Sequence, residues 1–277
     1  VSRYGVIAMG SSWDCPGTLT LSVEDAALIL GKIAGKDPYD ATSIDAPVDN
    51  FLEAIKEKRS YTIGIVEDYF DGIDDDVRKA IDKSIKVFEG LGHKIKRIKL
   101  MSPDYSISVY TILQRAEVSS NLGRYDGVRY GNNRSAFGNE AKKRSMLGAY
   151  VLAHGYYDQF YKRGQKVRTL IIEDFKKAFK EVDILLAPTT PGTALKLGES
   201  DKYPFFGELM DKLLEPASAA GLPAISIPCG LDSKEMPIGM QLVGNYLHES
   251  DVMNLAYQFE KETSYFGVIE KGLQKWK

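Results

Sequence analysis

The chain has 277 residues, of which 44% are hydrophobic and 27% charged, and its formal net charge is −2. This balance is typical of a globular protein that buries a core, and it argues against a protein that grips nucleic acid by its own charge, since phosphate binding needs concentrated Lys and Arg. No apolar run approaches the roughly 20 residues that cross a bilayer, and the first residues lack the basic and apolar regions of a secretory signal. A cytoplasmic protein that does not enter a membrane is therefore expected.

The first half of the chain alternates between helix and strand signals. The spacing of apolar residues predicts a helix from Ser22, a loop over 36–50, a strand from Ser60, an acidic turn over 68–76, a helix from Ile73 to Leu91 and a strand over 93–100. Ser22 and Asp25 form a capping-box pattern. In it the Ser22 hydroxyl accepts a hydrogen bond from a first-turn N–H, and the Asp25 side chain reaches back toward the backbone N–H of Ser22. The lysines of the second strand indicate a solvated sheet edge rather than a nucleic-acid patch.

The second half continues the alternation. Two long helical segments are predicted over 104–122 and 140–182, the second broken near Gly155 or Gly164. Its buried stripe is predicted to comprise Val167, Leu170, Ile171, Phe175, Ala178, Phe179 and Val182. Three buried strands and a closing helix over 250–263 follow, the strands reading "VDILLAPTTPG", "LPAISIPCG" and "MPIGMQLVG". This order favours a single domain of the α/β class.

Most familiar chemical motifs are absent from the sequence. Residues 31–37, "GKIAGKD", lack the spacing and the terminal Ser or Thr of a phosphate-binding loop, and no G-x-S-x-G elbow of a serine hydrolase occurs. Cys15 and Cys229 are expected to be free thiols in a reducing compartment. The three histidines follow no metal-ligand spacing: His93, His154 and His248. Neither a nucleotide site nor a metal site is predicted.

Several collinear segments carry a resemblance to a known family. They are "SSWDCPGTLTLSVEDAA", "AEVSSNLGRYDGVRYG", "FGNEAKKRSMLGAYVLAHGYYDQFYKRGQKVRTLI", "ILLAPTTPGTA" and "AGLPAISIPCG" with "PIGMQLVG". Together they resemble the A subunit of the glutamyl-tRNA(Gln)/aspartyl-tRNA(Asn) amidotransferase, a member of the amidase signature family. The resemblance implies a mixed β-sheet core flanked by helices, with residues 1–277 as the C-terminal portion of a single amidase-family domain. Residues 14–20, "DCPGTLT", depart from the family's more common Asp-x-x-Gly-Pro sequence motif.

The resemblance also says where the family's chemistry is expected. In this family a nucleophilic Ser, a second Ser and a Lys act from Gly- and Ser-rich loops that lie upstream of the segment matched by the first residues here. No such stretch occurs in this sequence, so no catalytic residue is assigned to it and the chain alone is expected to be inactive. Ser11 and Ser12 match a family segment that is not catalytic.

The part of the pocket that receives the amino-acid end of glutamine is implied to lie within this chain. Free glutamine carries an α-carboxylate and an α-ammonium, and a planar guanidinium binds a carboxylate through two parallel hydrogen bonds. By resemblance, Arg144 is the cation, Asp211 the anion and Tyr110 a hydroxyl that lines the pocket. Each has a plainer alternative: Arg144 as the solvated end of the run at 142–143, Asp211 as a surface charge, and Tyr110 as a core aromatic.

For the complete enzyme, the resemblance implies glutamine hydrolysis through an acyl-Ser intermediate and delivery of ammonia to a partner B subunit. There the mischarged tRNA is amidated with ATP and Mg²⁺, and a small C subunit braces the pair. No cofactor is expected on this chain itself. Two other functions stay open: a fragment of a general amidase-family hydrolase, and a non-catalytic scaffold half.

Overall fold

The computed structural model describes residues 1–203, 206–265 and 267. Its helices are α1 (Val23–Ile33), α2 (Phe51–Ala54), α3 (Asp75–Gly90), α4 (Pro103–Leu122), α5 (Asn139–Leu152), α6 (Arg163–Ala178), α7 (Phe206–Asp211), α8 (Glu215–Ala220) and α9 (Glu249–Thr263). Its strands are β1 (Thr62–Val66), β2 (Lys94–Ile98), β3 (Ile184–Pro188), β4 (Ala224–Leu231) and β5 (Pro237–Gly244).

The five strands form one sheet in the order β2-β1-β3-β5-β4. Strand β1 is parallel to β2 and to β3, whereas β5 is antiparallel to β3 and to β4. The sheet is thus mixed, and the predicted α/β class with a mixed sheet flanked by helices is confirmed. Strand β2 is an edge, and its exposed Lys96 pairs with Glu181 at 2.6 Å, as expected for a solvated border.

Helices cover both faces of the sheet because successive strand residues point to opposite sides. In β3, Ile184 and Leu186 join a core with α1, α3 and α9, and Leu185 and Ala187 join a second core with α4, α6 and α8. Every residue of β3 is buried. The continuous apolar run that predicted a buried strand therefore reflects a strand covered on both sides.

The long helical segment predicted over 140–182 divides into α5, a π-helical turn and α6. Gly155 breaks it, with φ of +87° in the left-handed region, whereas Gly164 lies inside α6. Most of the predicted buried stripe packs as expected, but Leu170 is 58% exposed and the prediction for it was wrong. Ile171, its neighbour, occupies the inward position, since adjacent helical residues point about 100° apart.

The two cysteines lie in different environments. Cys15 is exposed, Cys229 is buried, and both are free thiols. Over residues 1–203, 206–265 and 267, no helix is long and apolar enough to cross a membrane. The same residues bring together no group of three or more His, Cys, Asp or Glu side chains that could hold a metal ion.

The start of α1 follows its predicted cap in part. The Ser22 hydroxyl accepts a hydrogen bond from the Asp25 N–H at 3.0 Å. The Val23 N–H donates to the Glu260 carboxylate of α9 at 2.8 Å. A side chain of a second helix thus binds another of the backbone N–H groups that have no partner within the first turn of α1.

Replacing Ser22 with Ala is expected to lower the free energy of unfolding by about 1 kcal/mol, because it removes an N-cap acceptor. Urea denaturation of the chain measures the change. Ser108→Ala is the matched control, since the Ser108 hydroxyl donates within α4 to the Asp104 carbonyl, where alanine is a better helix former. A Ser22→Ala loss no greater than that of the control would contradict the capping role.

Candidate glutamine-binding site

The three residues singled out in the sequence meet at one place in the fold. Tyr110 lies in the middle of α4, Arg144 in α5 and Asp211 at the end of α7. Burial raises the pKa of Tyr110 and that of Asp211, and the positive charge of Arg144 opposes the rise in both. The guanidinium is therefore within electrostatic reach of the other two groups. A phenol, a cation and an anion thus share one region between helices.

Arg144 is fixed rather than solvated. Its side chain is 26% exposed, and its Nε donates to Glu140 Oε1 at 2.7 Å one turn earlier on α5. Burial acts to lower the Arg144 pKa, but Glu140 and Tyr110 outweigh it and the pKa is raised, so the charge is permanent. Lys142 and Lys143, in contrast, are exposed. Arg144 is thus less exposed than the two lysines that precede it.

Asp211 is a half-buried carboxyl group. Burial raises its pKa, the charge of Arg144 opposes that effect, and the charge of Glu208 adds to it. In the described part of the chain, no cation lies within ion-pair distance of the Asp211 carboxylate. Its charge is therefore open to a positively charged ligand group.

Tyr110 packs against the N-terminal segment. Its ring meets Trp13 edge to face at 5.3 Å between ring centres, and Arg168 of α6 lies over the Trp13 ring, 4.4 Å from its centre. Burial is the main influence that raises the Tyr110 pKa, and the charge of Glu215 adds to it. The hydroxyl consequently stays protonated and serves as a hydrogen-bond donor or acceptor.

The serines of the N-terminal segment have structural partners. Ser12 donates from its hydroxyl to Glu117 at 2.6 Å and accepts from Arg168 at 2.8 Å. The Ser11 hydroxyl accepts from Asn121 at 2.9 Å. These hydrogen bonds fasten the N-terminal segment to α4 and α6, in keeping with the match of both serines to a non-catalytic family segment.

Sequence reasoning missed other charged residues of this region. Buried Arg115 of α4 pairs with Glu208 of α7 at 2.9 Å, and Glu215 begins α8 with only 8% of its surface exposed. A signal was present, because Glu208, Asp211 and Glu215 are spaced three and four residues apart, as on one helix face. The burial of Glu215 depends on α4 and α6, against which α8 packs, and the sequence alone did not place these helices there.

Buried polar atoms without a hydrogen-bond partner concentrate around these helices. Within the described part of the chain, those near the site are Trp13 Nε1, Gln114 Nε2, Arg115 Nε, Ser145 Oγ and Glu215 Oε2. Leaving a buried polar group unpaired costs about 1–3 kcal/mol, so such atoms rarely gather without a reason. Their concentration indicates a place that receives a polar ligand or water.

A separate cavity of about 380 Å³ lies elsewhere, beside the starts of β1 and β3. Its central Asp251 accepts from Arg59 at 2.6 Å and pairs with His248 at 2.8 Å. Tyr61 also donates to that carboxylate at 3.2 Å. These groups satisfy one another, so the network is explained by structure, and none of the three predicted residues lines the cavity.

The arrangement between α4, α5 and α7 is suited to binding rather than to bond cleavage. Glu140 engages Arg144 through Nε and Tyr110 interacts with the same guanidinium, whose remaining N–H groups can bind a carboxylate. Asp211 offers an anion for an ammonium group, and Tyr110 a hydroxyl. A small zwitterion satisfies both charges at once.

The chain resembles named proteins along most of its length. It is 43% identical over 282 residues to the A subunit of glutamyl-tRNA(Gln) amidotransferase of Geobacter sp. (strain M21), covering 96% of this chain and 58% of that protein. It is 44% identical over 280 residues to the corresponding protein of Prochlorococcus marinus subsp. pastoris, with coverages of 95% and 58%. The chain thus spans 58% of the length of these curated relatives.

Solved structures agree with the fold. The crystal structure of the A subunit of glutamyl-tRNA(Gln) amidotransferase from Thermotoga maritima is 36% identical, with a TM-score of 0.79 over 94% of this chain and 55% of that one. A bacterial aryl acylamidase of the amidase signature family has a TM-score of 0.73 at 22% identity, covering 91% of this chain and 54% of that one, a likeness of fold alone.

A single family match, described as Amidase, runs through residues 1–253 and so includes every element that builds the site. The mixed sheet, the flanking helices and this continuous match lead to one conclusion. The chain belongs to the amidase family.

Proposed function

We propose that this chain is the glutamine-binding portion of the amidase subunit of a tRNA-dependent amidotransferase. The observation that carries the proposal is the meeting of Arg144, Asp211 and Tyr110 from three helices, in a chain similar to the A subunits of glutamyl-tRNA(Gln) amidotransferases. Arg144 binds the α-carboxylate of glutamine, and Asp211 binds its α-ammonium. The side-chain amide is then held at the far end of the ligand, where a nucleophile can reach it.

In the complete enzyme, a serine of the family's Gly- and Ser-rich loops, which is not among the 277 residues of this chain, attacks that amide. The attack forms an acyl intermediate, with ammonia as the leaving group. The ammonia passes to a B subunit, which uses ATP and Mg²⁺ to amidate the mischarged tRNA, while a C subunit stabilises the assembly. Glu-tRNA(Gln), Asp-tRNA(Asn) or both are the acceptors. In this division ATP and tRNA belong to the partner, and the enzyme works in the cytoplasm.

The isolated chain is expected to release no ammonia from glutamine, because binding groups without a nucleophile cannot form the acyl intermediate. A coupled ammonia assay measures this, with and without the upstream amidase segment and the B and C partners. Activity should appear only in the complete assembly and should be abolished by a serine-acylating reagent. Ammonia release by the chain alone, sensitive to the same reagent, would contradict the expectation.

Two comparisons in the same assay separate the alternatives. A general amidase would act without the B and C subunits and would accept amides that lack the α-ammonium group. A scaffold would bind those partners in a pull-down, yet its assembly would never turn over glutamine. Glutamine-dependent amidation of tRNA only in the presence of both partners supports the proposed function over each of them.

A further inference from the structure

Glu215 is a buried acid at the edge of the glutamine site that no step of the proposed function uses. Only 8% of its surface is exposed. In the described part of the chain its Oε2 atom has no hydrogen-bond partner. Helix α8, which it begins, packs against α4, and the charges of Glu215, Tyr110 and Asp211 act on one another. A buried carboxyl oxygen left without a partner is costly, which indicates that something else completes its surroundings.

The charges around the site are unequally matched. Arg144 is paired with Glu140 at 2.7 Å, and Arg115 with Glu208 at 2.9 Å. Both of these arginines thus already have a carboxylate, whereas Arg168 of α6 donates to Ser12 and to the Ala219 carbonyl. Over the residues that the structure describes, Asp211 and Glu215 form no ion pair with a cation of the chain, although the more distant charge of Arg144 acts on Asp211. Among the side chains of the two ion pairs and these two acids, the acids outnumber the arginines, which suits a positively charged ligand group.

A protonated Glu215 avoids placing a second negative charge near the half-buried Asp211. Burial, and next the charge of Asp211, raise the pKa of Glu215 to about 8. Tyr110 of α4 and Asp211 of α7 are the titratable groups that interact with this acid, and Arg144 and Glu208 act in turn on Asp211. From α6, Arg168 donates to the Ala219 carbonyl of the same helix α8. With a pKa of about 8, Glu215 is mostly protonated at neutral pH and adds little negative charge beside Asp211.

We propose that Glu215 is a second acceptor for the α-ammonium of the ligand and that it releases its proton to solvent when that group binds. The inference rests on the proposed function. In the step, the O–H bond of Glu215 breaks, its proton leaves to water, and the carboxylate accepts an N–H of the ammonium beside Asp211. The ligand itself loses no proton, and one proton is released for each ammonium bound.

The chemistry favours an ammonium over a metal ion as the cation. Glu208 is occupied by Arg115, and the described residues bring together no group of three acids or other ligands suited to a metal. An ammonium needs only two or three acceptors, which Asp211 and Glu215 supply. Ligands with this group should therefore bind about tenfold more weakly for each pH unit below about 8, where Glu215 must first ionise.

Carbon-13 NMR of the chain labelled in its glutamate carboxyl groups tests the proposal. One signal is expected to titrate near pH 8 and to be missing in Glu215→Gln, which identifies it. In Asp211→Asn the same signal should titrate at lower pH, because a neighbouring negative charge is removed. A Glu215 signal that titrates in the ordinary range of glutamate, without ligand, would overturn the proposal.

Three probes then define the ligand group: glutamine, 4-aminobutanamide, which lacks the carboxylate, and glutaramate, which lacks the ammonium. Glutamine and 4-aminobutanamide should lower the titration midpoint of Glu215, whereas glutaramate should not. One pair of results would refute the inference and keep the proposed function. In it, glutamine binds the wild-type chain without changing the Glu215 titration midpoint, and that binding is lost in Arg144→Lys. A shift with 4-aminobutanamide alone would keep Glu215 as an ammonium acceptor and refute glutamine as the ligand.

Discussion

Arg144→Lys in the complete amidotransferase is expected to lower kcat/KM for glutamine about ten- to a hundredfold. Lysine keeps the charge but loses the fork, so the α-carboxylate is held at one point and the amide is no longer directed at the nucleophile. The loss of one charge-assisted hydrogen bond, roughly 1.5–3 kcal/mol, gives this range. Initial rates of tRNA amidation at varied glutamine concentration measure it.

The nitrogen donor separates binding from folding in this experiment. Under the proposed function, free ammonia does not need the pocket formed by Arg144 and Asp211, so amidation with an ammonium salt should stay near the wild-type rate in Arg144→Lys. Asp211→Asn should give the same split, because it removes the anion for the α-ammonium and leaves the transfer site untouched. Lys143→Gln is the matched control on α5, since Lys143 is exposed, and it should alter neither rate. Equal losses with both donors would assign Arg144 and Asp211 to the fold or to an interface.

The parts of the fold that could be predicted from sequence are those set by neighbouring residues. The cap at Ser22 is local and appears where the pattern placed it, and Gly92 just after α3 takes the positive φ that glycine adopts readily. The buried strand β3 was predictable from its unbroken apolar run. Its parallel partner β1 and antiparallel partner β5 were not, because pairing joins segments far apart in the chain.

The site residues also differ in whether the sequence could predict them. Tyr110, Arg144 and Asp211 were proposed from a family resemblance, and composition favoured a plain alternative for each. The role proposed for Glu215 required tertiary information, since α8 is covered by α4 and α6 and the pKa of Glu215 is raised by burial and by Asp211. A glutamate at the first position of a short helix reads in sequence as an ordinary first-turn acid. Only the packing shows that it is enclosed.

The close approach of α4 and α5 predicts a large effect of the smallest substitution on α5. A Cβ added at Gly148 would overlap the Arg115 carbonyl oxygen and would lie 2.6 Å from the Ser119 Cβ. Gly148→Ala must therefore push the helices apart and is expected to lower the free energy of unfolding by about 2–3 kcal/mol. Because α4 carries Tyr110 and α5 carries Arg144, the separation should also weaken glutamine binding.

Gly90→Ala gives the control that decides the cause of the Gly148 effect. Gly90 also lies in a helix, at the end of α3, but a Cβ there meets nothing within 4 Å and its φ is not positive. Alanine should leave stability unchanged or raise it by up to about 1 kcal/mol, because it is the better helix former. Urea denaturation of both variants gives the comparison. If Gly148→Ala were as stable as Gly90→Ala, the two helices would not be in close contact through Gly148, and the placement of Arg144 beside Tyr110 would lose its support.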